Sequence, residues 1–208
     1  MKGIFITFEG CESCGKSTQS KLLYEYLKQK GRSVVFLREP GGTGVSEKIR
    51  GLLLDPDNRS IAAETELLLY MASRAQTVRE VIIPALQKGA IVVCDRFLDS
   101  TIVYQGYGLG MDKRFIAQLG RFATEGIKPD LTILLDLPLK QALAGISRKK
   151  DRIEQRSFAY HQRVKKGYLA LARREPRRIK IVRLADGIQT TQAAIRRLVD
   201  RVITDKRA

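Results

Sequence analysis

The sequence predicts an α/β protein with an open, mostly parallel five-stranded sheet flanked by helices. Five short runs of β-branched and aliphatic residues alternate with longer stretches of helical periodicity. Three of the five runs are almost continuously apolar, as expected for parallel strands that are covered on both faces. Polar or glycine-rich segments follow three of the runs. Because open parallel sheets bind ligands at the carboxyl ends of their strands, these segments are expected to meet at one ligand site.

The order of elements follows from this alternation. The predicted strands are 3–8, 33–37, 90–95, 131–136 and 179–184. The predicted helices are 17–30, 46–54, 62–88, 112–125, 138–146, 154–174 and 189–204. Right-handed crossovers join parallel strands in nearly all sheets, which predicts helices lying on the faces of this one. We find no internal repeat or second domain in the sequence, so residues 1–208 are predicted to form a single domain.

Composition limits the class of protein. The chain of 208 residues is 44% hydrophobic and 29% charged, which is ordinary for a protein with a sizeable core. No apolar run approaches the roughly 20 residues needed to cross a bilayer, and the N-terminus lacks the pattern of a secretory signal. Three cysteines build no disulfide framework. These features predict a cytoplasmic protein without a membrane partner.

The formal net charge of +16 is unevenly distributed. From Arg148 to Arg183 the sequence has 14 Lys or Arg against three acidic residues, a net charge of +11. A basic field of that size attracts polyanions, either nucleic acid or nucleotide phosphates. The alternative interpretation is a solvated helix face that keeps the protein soluble.

The segment that follows the first predicted strand has the pattern of a phosphate-binding loop. Gly10 and Gly15 permit a tight turn whose N–H groups point at phosphate oxygens, and the next helix presents its positive end. In this pattern Lys16 reaches the β- and γ-phosphates and Ser17 offers a hydroxyl to Mg²⁺. The position between a buried strand and a helix is the context that the pattern requires. The predicted ATP-binding residues are Gly10, Cys11, Glu12, Ser13, Cys14, Gly15, Lys16, Ser17 and Thr18.

The same segment contains a Cys-x-x-Cys pair, which also occurs in redox dithiols and zinc sites. A zinc site needs four ligands, and the remaining supply is Cys94, interpreted as core, and His161, interpreted as a surface or half-buried residue. A redox dithiol would not need glycine, lysine and serine at the flanking offsets. We therefore interpret Cys11 and Cys14 as small loop residues. The helix end could still lower their thiol pKa and make the loop sensitive to oxidation.

Two other features limit the classes of phosphate-loop protein to which the sequence can belong. The only asparagine is Asn58, in DPDNRS, so the sequence lacks the Asn-Lys-x-Asp motif by which GTPases recognise guanine. The third strand ends in Asp95-Arg96 instead of the acidic pair of a motor or helicase. A short chain with these features favours a kinase that acts on a small phosphorylated acceptor. The blocks FEGCESCGKSTQ, REPGGTGVSEKIRGLLLD, ELLLYMASRAQ, CDRFLDSTIVYQG, KPDLTILLDLP and DRIEQ are similar to those of bacterial thymidylate kinases over most of the chain.

The resemblance implies a P-loop nucleoside monophosphate kinase fold and a set of acceptor-site roles. Tyr70 and Arg74, four residues apart on one helix face, would stack on thymine and hold the acceptor; a core tyrosine and a solvated arginine are the alternative. Arg96 would grip the dTMP phosphate, with Asp95 near Mg²⁺; a structural ion pair is the alternative. Glu12 would contact the 3′-hydroxyl and a magnesium-bound water. The full set of implied substrate-binding residues is Glu12, Arg38, Glu39, Pro40, Tyr70, Arg74, Arg96, Thr101, Tyr104 and Gln105.

Thr101 and Gln105 lie on one helix face at four-residue spacing. By resemblance these two side chains hydrogen-bond the thymine edge, and a capping or solvated role is the alternative. The loop Arg38-Glu39-Pro40 would border the acceptor, with Arg38 approaching its phosphate.

The variable positions 11–14 of the phosphate loop contain no arginine. Some members of the family supply a catalytic arginine from that loop and others from a mobile lid. Here the resemblance implies a small lid at about residues 146–154, with Arg148 and Arg152 as catalytic cations and Lys149 or Lys150 as alternatives. The segment is shorter than the usual glycine-containing bacterial lid. The implied catalytic set is Lys16, Asp95, Arg96, Arg148 and Arg152.

These expectations describe an ATP- and Mg²⁺-dependent kinase that passes the γ-phosphoryl group directly and in line to dTMP, giving dTDP and ADP for dTTP biosynthesis. Ser17 and Asp95 would hold the metal, Asp95 through water if not directly. The family also implies a homodimer. Two alternatives are a kinase for another acceptor, such as dUMP, and a nucleic-acid-stimulated NTPase. Nucleic acid is not expected as a partner, because no aromatic stacking platform accompanies the basic segment.

Overall fold

The computed structural model describes residues 3–145, 151–184 and 187–206. A five-stranded sheet runs through its centre in the order β2-β3-β1-β4-β5, and every neighbouring pair is parallel. The strands are β1 (Ile4–Glu9), β2 (Val34–Arg38), β3 (Ile91–Asp95), β4 (Leu131–Asp136) and β5 (Ile179–Arg183). The predicted strands are therefore confirmed, each to within one residue at its ends.

Helices connect the strands. They are α1 (Lys16–Gln29), α2 (Gly44–Leu54), α3 (Ala63–Thr77), α4 (Ile83–Gln87), α5 (Leu98–Thr101), α6 (Lys113–Ala123), α7 (Leu139–Ala144), α8 (Phe158–Arg174) and α9 (Ile188–Asp205). Two π-helical segments, Val78–Ile82 and Ile102–Gly108, continue α3 into α4 and extend α5. None of the described helices combines the length and the apolar character that crossing a bilayer requires.

The central strand β1 is buried on both faces because its side chains alternate between two apolar clusters. Ile4, Ile6 and Phe8 pack in the cluster that contains residues of α1 and α9. Phe5 packs on the opposite face, in the cluster formed with Val78 and the π-helical segment after α3. This two-sided burial explains the continuous apolar run in the sequence.

The register of the sheet brings three strand ends to the same edge. Asp95 of β3 is aligned with Phe8 of β1 and with Arg38 of β2. The loops that follow β1, β2 and β3 therefore leave the sheet side by side. This alignment places the phosphate loop next to the loop after Arg38 and the turn after Asp95, as the sequence predicts.

One predicted helix begins later than expected. The periodicity predicted helix from residue 154, whereas α8 begins at Phe158. Asp151 accepts hydrogen bonds from the N–H groups of Ile153 and Glu154, which forms a turn, and the Ser157 hydroxyl then caps α8 by accepting from the N–H of Tyr160. Serine and aspartate side chains favour such turns and caps over the helix interior.

Candidate active site

A cavity of about 520 Å³ opens at the carboxyl edge of the sheet. It gathers most of the side chains that the sequence singled out for ATP and acceptor. The predicted site residues that line it are Glu12, Ser13, Cys14, Gly15, Lys16, Ser17, Thr18, Arg38, Glu39, Pro40, Tyr70, Arg74, Asp95, Arg96, Thr101, Tyr104 and Gln105. Gly10, Cys11 and Arg152 are described by the structure but do not line the cavity.

The phosphate loop takes a conformation that requires its glycines. Gly10 and Gly15 have φ values of 144° and 80°, which L side chains rarely adopt. A Cβ on Gly10 would also lie 2.6 Å from the carbonyl oxygen of Leu135. Lys16, the first residue of α1, folds back over the loop, and its Nζ donates to the carbonyl oxygen of Cys11 at 2.5 Å. The loop therefore holds its lysine beside the start of a helix, where anions bind.

Cys11 and Cys14 are both buried and free of disulfides. Burial and the neighbouring Cys14 raise the pKa of the Cys11 thiol to about 11, although Lys16 and Arg96 oppose that rise. The possibility of a helix-lowered thiol pKa is therefore wrong for Cys11, because loss of hydration outweighs the nearby positive charges. Cys14 Sγ lies 3.6 Å from Lys16 Nζ. Cys94 is fully buried in the apolar core, as predicted.

Ser17 and Asp95 form a group suited to a hydrated divalent cation. The Ser17 hydroxyl donates to Asp95 Oδ2 at 2.5 Å. The second carboxylate oxygen, Oδ1, is buried without a hydrogen-bond partner among the described residues, although Asp95 lines the cavity. A buried carboxylate oxygen without a partner is unfavourable unless a ligand or a metal ion interacts with it. Oxygen donors of this kind are what Mg²⁺ prefers.

Arg96 and Glu12 form an ion pair at the mouth of the phosphate loop. Arg96 Nη2 lies 2.8 Å from Glu12 Oε2, while Arg96 Nη1 donates to the Gly10 carbonyl oxygen at 3.1 Å. The Tyr104 hydroxyl donates to the other oxygen of Glu12 at 2.6 Å. Burial alone would raise the pKa of Glu12, but Arg96, Lys16 and Tyr104 lower it to about 2. Glu12 is therefore a carboxylate held beside two cations, Arg96 and Lys16, which balance its charge within the phosphate loop.

Arg74 is buried and fixed by a second carboxylate. Its Nε donates to Glu39 Oε2 at 2.7 Å, and both side chains are only 2% exposed. Its Nη1 donates to the Thr101 hydroxyl at 2.9 Å, and the guanidinium lies over the Phe97 ring. Burial raises the pKa of Glu39 although Arg74 opposes this rise. The alternative of a solvated Arg74 is therefore wrong, since α3 buries the side chain against the loop after β2 and against α5.

Gln105 and Thr101 are each only 1% exposed, on the helical segment that starts with α5. The alternative of solvated side chains is wrong for both. Gln105 Nε2 donates to Glu66 Oε1 at 2.8 Å. Tyr70 is half-buried and lines the same cavity, so its ring faces a space that Arg74 and Gln105 also border.

The loop after β2 presents two arginines. Arg38 Nη1 and Arg50 Nη1 both donate to the carbonyl oxygen of Pro40, at 3.1 and 2.9 Å, and both side chains line the cavity. Burial and the adjacent Arg38 lower the pKa of Arg50. Arg50 was not singled out from the sequence. Arg38 ends β2 and Arg50 lies in α2, so no periodicity within one element relates them. Only the fold brings the two arginines together.

The predicted lid is described in part. Arg148, Lys149 and Lys150 lie outside the described residues, so no contact tests their predicted catalytic role. Arg152 is described and buried: its Nη2 lies 2.6 Å from Glu66 Oε2, and its Nε donates to the Leu53 carbonyl oxygen at 2.8 Å. Glu66 is thus the acidic partner of Arg152.

Glu9 is a further buried carboxylate that the sequence reasoning missed. Its Oε1 accepts from the N–H of Phe97 at 2.8 Å, and its Oε2 accepts from the Ser100 hydroxyl at 2.6 Å and the Tyr168 hydroxyl at 2.9 Å. The same two hydroxyls accept from Arg96 Nη1. Burial and the nearby Asp99 raise the pKa of Glu9 to about 7, against the opposing effects of Ser100, Arg96 and Phe97. The only feature of the sequence that could have indicated a role for Glu9 is its polar side chain at the end of an apolar strand.

Part of the basic segment is paired with acidic residues within the protein. Among its described residues, Arg156 pairs with Glu66, Lys165 with Asp136 and Arg178 with Asp99. His161, expected at the surface or half-buried, is only 1% exposed on α8, with its ring packed edge-on against Tyr160. The charge that suggested a polyanion partner therefore serves in part to bind acidic residues from other elements.

Comparison with known proteins identifies the family. The thymidylate kinase family profile matches residues 8–195 of the chain. The chain belongs to that family. Over 201 residues it is 49% identical to the thymidylate kinase of Geotalea uraniireducens, covering 93% of this chain and 94% of the relative. It is 48% identical over 201 residues to that of Symbiobacterium thermophilum, covering 96% and 94%.

A solved structure of the same family supports the fold. The crystal structure of thymidylate kinase from Ehrlichia chaffeensis superimposes with a TM-score of 0.78 at 32% sequence identity. The match covers 96% of this chain and 99% of that chain. The predicted P-loop nucleoside monophosphate kinase fold is therefore confirmed.

Proposed function

We propose that this protein transfers the γ-phosphoryl group of ATP to dTMP, giving dTDP and ADP, as a step in dTTP biosynthesis. The observation that carries the proposal is one cavity lined by both the phosphate loop and the acceptor residues Tyr70, Arg74 and Gln105. Membership of the thymidylate kinase family supports the choice of acceptor. The shared cavity supports a direct, in-line transfer between the two bound nucleotides, without a phosphorylated enzyme.

The residues around the loop align the substrates and balance their negative charge. Lys16 leaves its loop carbonyl to reach the β- and γ-phosphates of ATP. Arg96, held by Glu12, Gly10 and Ser100, contacts the phosphate of the acceptor. Such pre-positioned cations stabilise a transition state whose charge is spread over phosphoryl oxygens. Glu12 accepts a hydrogen bond from the 3′-hydroxyl of dTMP.

Mg²⁺ is part of this proposal, and the residues present suit it. Ser17 Oγ and the unpartnered Asp95 Oδ1 would hold the ion, directly or through water. When bound, Mg²⁺ neutralises charge on the β- and γ-phosphates.

The lid arginines are the proposed source of the catalytic cation that acts in addition to Lys16 and Arg96. Arg148 is the better candidate, because Arg152 is committed to Glu66 and to the Leu53 carbonyl. Arg148→Ala is expected to lower kcat much more than KM, by about 10³-fold or more, as for other arginines acting in cis. Arg152→Ala is expected to lower the melting temperature as well, because it leaves a buried carboxylate with one cation fewer. A change in KM alone for Arg148→Ala would show that the residue only binds.

An acceptor panel tests the reaction itself. Initial rates with ATP and Mg²⁺ are measured for dTMP, dUMP, UMP and AMP in a coupled assay for ADP. The proposal expects the highest kcat/KM for dTMP. A higher value for another acceptor, or turnover of ATP that DNA or RNA stimulates, would overturn it.

We further propose that the protein is a homodimer in the cytoplasm. Exposed apolar side chains on α2, α3 and α6 (Val45, Leu52, Leu68, Phe115 and Phe122) support a second copy as the partner. Because α3 packs against both α2 and α6, these helices form one continuous layer. Sedimentation equilibrium should give about twice the chain mass of 23.4 kDa, and Phe122→Glu should shift it toward the monomer. A wild-type monomer would refute the dimer.

A further inference from the structure

Glu66 is a fully buried carboxylate for which the reaction proposed above has no role. It lies in the first turn of α3, the helix that also carries Tyr70 and Arg74. Its Oε2 lies 2.6 Å from Arg152 Nη2 and 2.6 Å from Arg156 Nη2. Its Oε1 accepts a hydrogen bond of 2.8 Å from Gln105 Nε2. One carboxylate therefore joins α3, the turn before α8 and the segment that reads the acceptor base.

The hydrogen bond to Glu66 determines whether the NH₂ group or the carbonyl oxygen of the Gln105 amide is left for the substrate. A carboxylate has acceptor oxygens only, so Gln105 must turn its NH₂ group toward Glu66. The carbonyl oxygen of the planar amide then lies on the opposite side. Because Gln105 is only 1% exposed and lines the cavity, the orientation that Glu66 sets is kept by packing.

A free carbonyl oxygen in this position discriminates between pyrimidines. Thymine and uracil carry a proton on N3 and can donate it to the Gln105 carbonyl. Cytosine has an unprotonated N3, whose lone pair would face another acceptor. A site that is built to hydrogen-bond a substrate N–H rejects an analogue that lacks it, because its own polar group is left unpaired.

We propose that Glu66 is a specificity-determining positioning residue, which holds Gln105 with its carbonyl free for the ring N–H of thymine or uracil and so excludes cytosine. The inference rests on the proposed function, since it assigns the cavity to a pyrimidine nucleotide. The competing explanation is that Glu66 only neutralises Arg152 and Arg156. The two ion pairs use Oε2 of Glu66, whereas the hydrogen bond from Gln105 uses Oε1. Mutation of an arginine can therefore remove an ion pair and keep the hydrogen bond to Gln105.

The test compares two variants that keep side-chain size. Glu66→Gln replaces the acceptor-only carboxylate by an amide that can meet either end of Gln105. Arg156→Gln removes one ion pair and leaves the bond between Glu66 and Gln105. For each variant, kcat/KM is measured with dTMP and with dCMP at high enzyme concentration. The proposal expects the dTMP-to-dCMP ratio to fall by about tenfold or more in Glu66→Gln and to stay within about twofold of wild type in Arg156→Gln.

The outcomes separate the two explanations. An unchanged ratio in Glu66→Gln, or an equal fall in both variants, would overturn the role in specificity, whatever happens to the rate with dTMP. If Glu66→Gln does not fold by circular dichroism, the double variant Glu66→Gln/Arg156→Gln, which removes one charge of each sign, is compared with Arg156→Gln in the same way. Absence of dTMP turnover in the wild type would instead refute the proposed function.

Discussion

The buried pair of Arg74 and Glu39 allows a quantitative prediction for Arg74→Met. Both side chains are 2% exposed, and 2.7 Å separates Arg74 Nε from Glu39 Oε2. The other carboxylate oxygen of Glu39 already has no partner among the described residues. Methionine keeps the apolar stem but leaves a buried carboxylate without its cation. Removing one partner of such a pair costs about 3–5 kcal/mol, which corresponds to a fall in melting temperature of roughly 6–20 °C for a chain of this size.

The loss should depend on pH in a defined direction. Burial raises the pKa of Glu39, and in Arg74→Met no cation remains to oppose it. A raised carboxyl pKa makes the folded state most favoured where Glu39 is protonated and less favoured as pH rises through the folded pKa. Arg74→Met is therefore expected to lose less stability near pH 5 than near pH 8. The double variant Arg74→Met/Glu39→Gln should recover part of the loss and should remove this pH dependence.

Urea unfolding at pH 5 and pH 8, followed by circular dichroism, is measured for the wild type, the two single variants and the double variant. The comparison uses the free energy of unfolding at each pH, with Glu39→Gln alone completing the cycle. A loss below about 1 kcal/mol at pH 8 for Arg74→Met would refute the buried-pair reasoning. So would a loss that is equal at the two pH values.

Two further predictions concern the phosphate loop and the end of β1. Lys16→Ala should lower kcat/KM at least about 100-fold, because the lysine is a preplaced cation for the transferring group. The melting temperature should stay near that of the wild type, since the Lys16 ammonium donates only to Cys11 and Cys14 of the phosphate loop itself among the described residues. A coupled assay with turnover near wild type would contradict this. Glu9→Gln mimics the protonated acid, and the pKa of Glu9 is raised to about 7. The wild type should therefore lose stability relative to Glu9→Gln as pH rises from about 4.5 through 7, by on the order of 3 kcal/mol. Melting curves from pH 5 to pH 8 that stay parallel would count against the raised pKa.

Local sequence patterns predicted the fold and the phosphate loop because both depend on short-range rules. The apolar runs of β1, β3 and β4 identify strands buried on both faces. The offsets of Gly10, Gly15, Lys16 and Ser17 place backbone N–H groups and a cation around phosphate oxygens without help from distant residues. The carboxyl ends of parallel strands share an edge, so the order of elements alone predicted where the polar loops would meet.

Only the tertiary structure decided which charges face each other. Glu66 of α3 and Arg156 in the turn before α8 are 90 residues apart in the chain, and no local periodicity links them. The burial of Arg152 and the high pKa of Cys11 arise in the same way, from packing between separate elements. A local pattern specifies which face of an element is apolar. The partner of a buried charge depends on how whole elements pack, because desolvation makes any charge that lacks a partner too costly to bury.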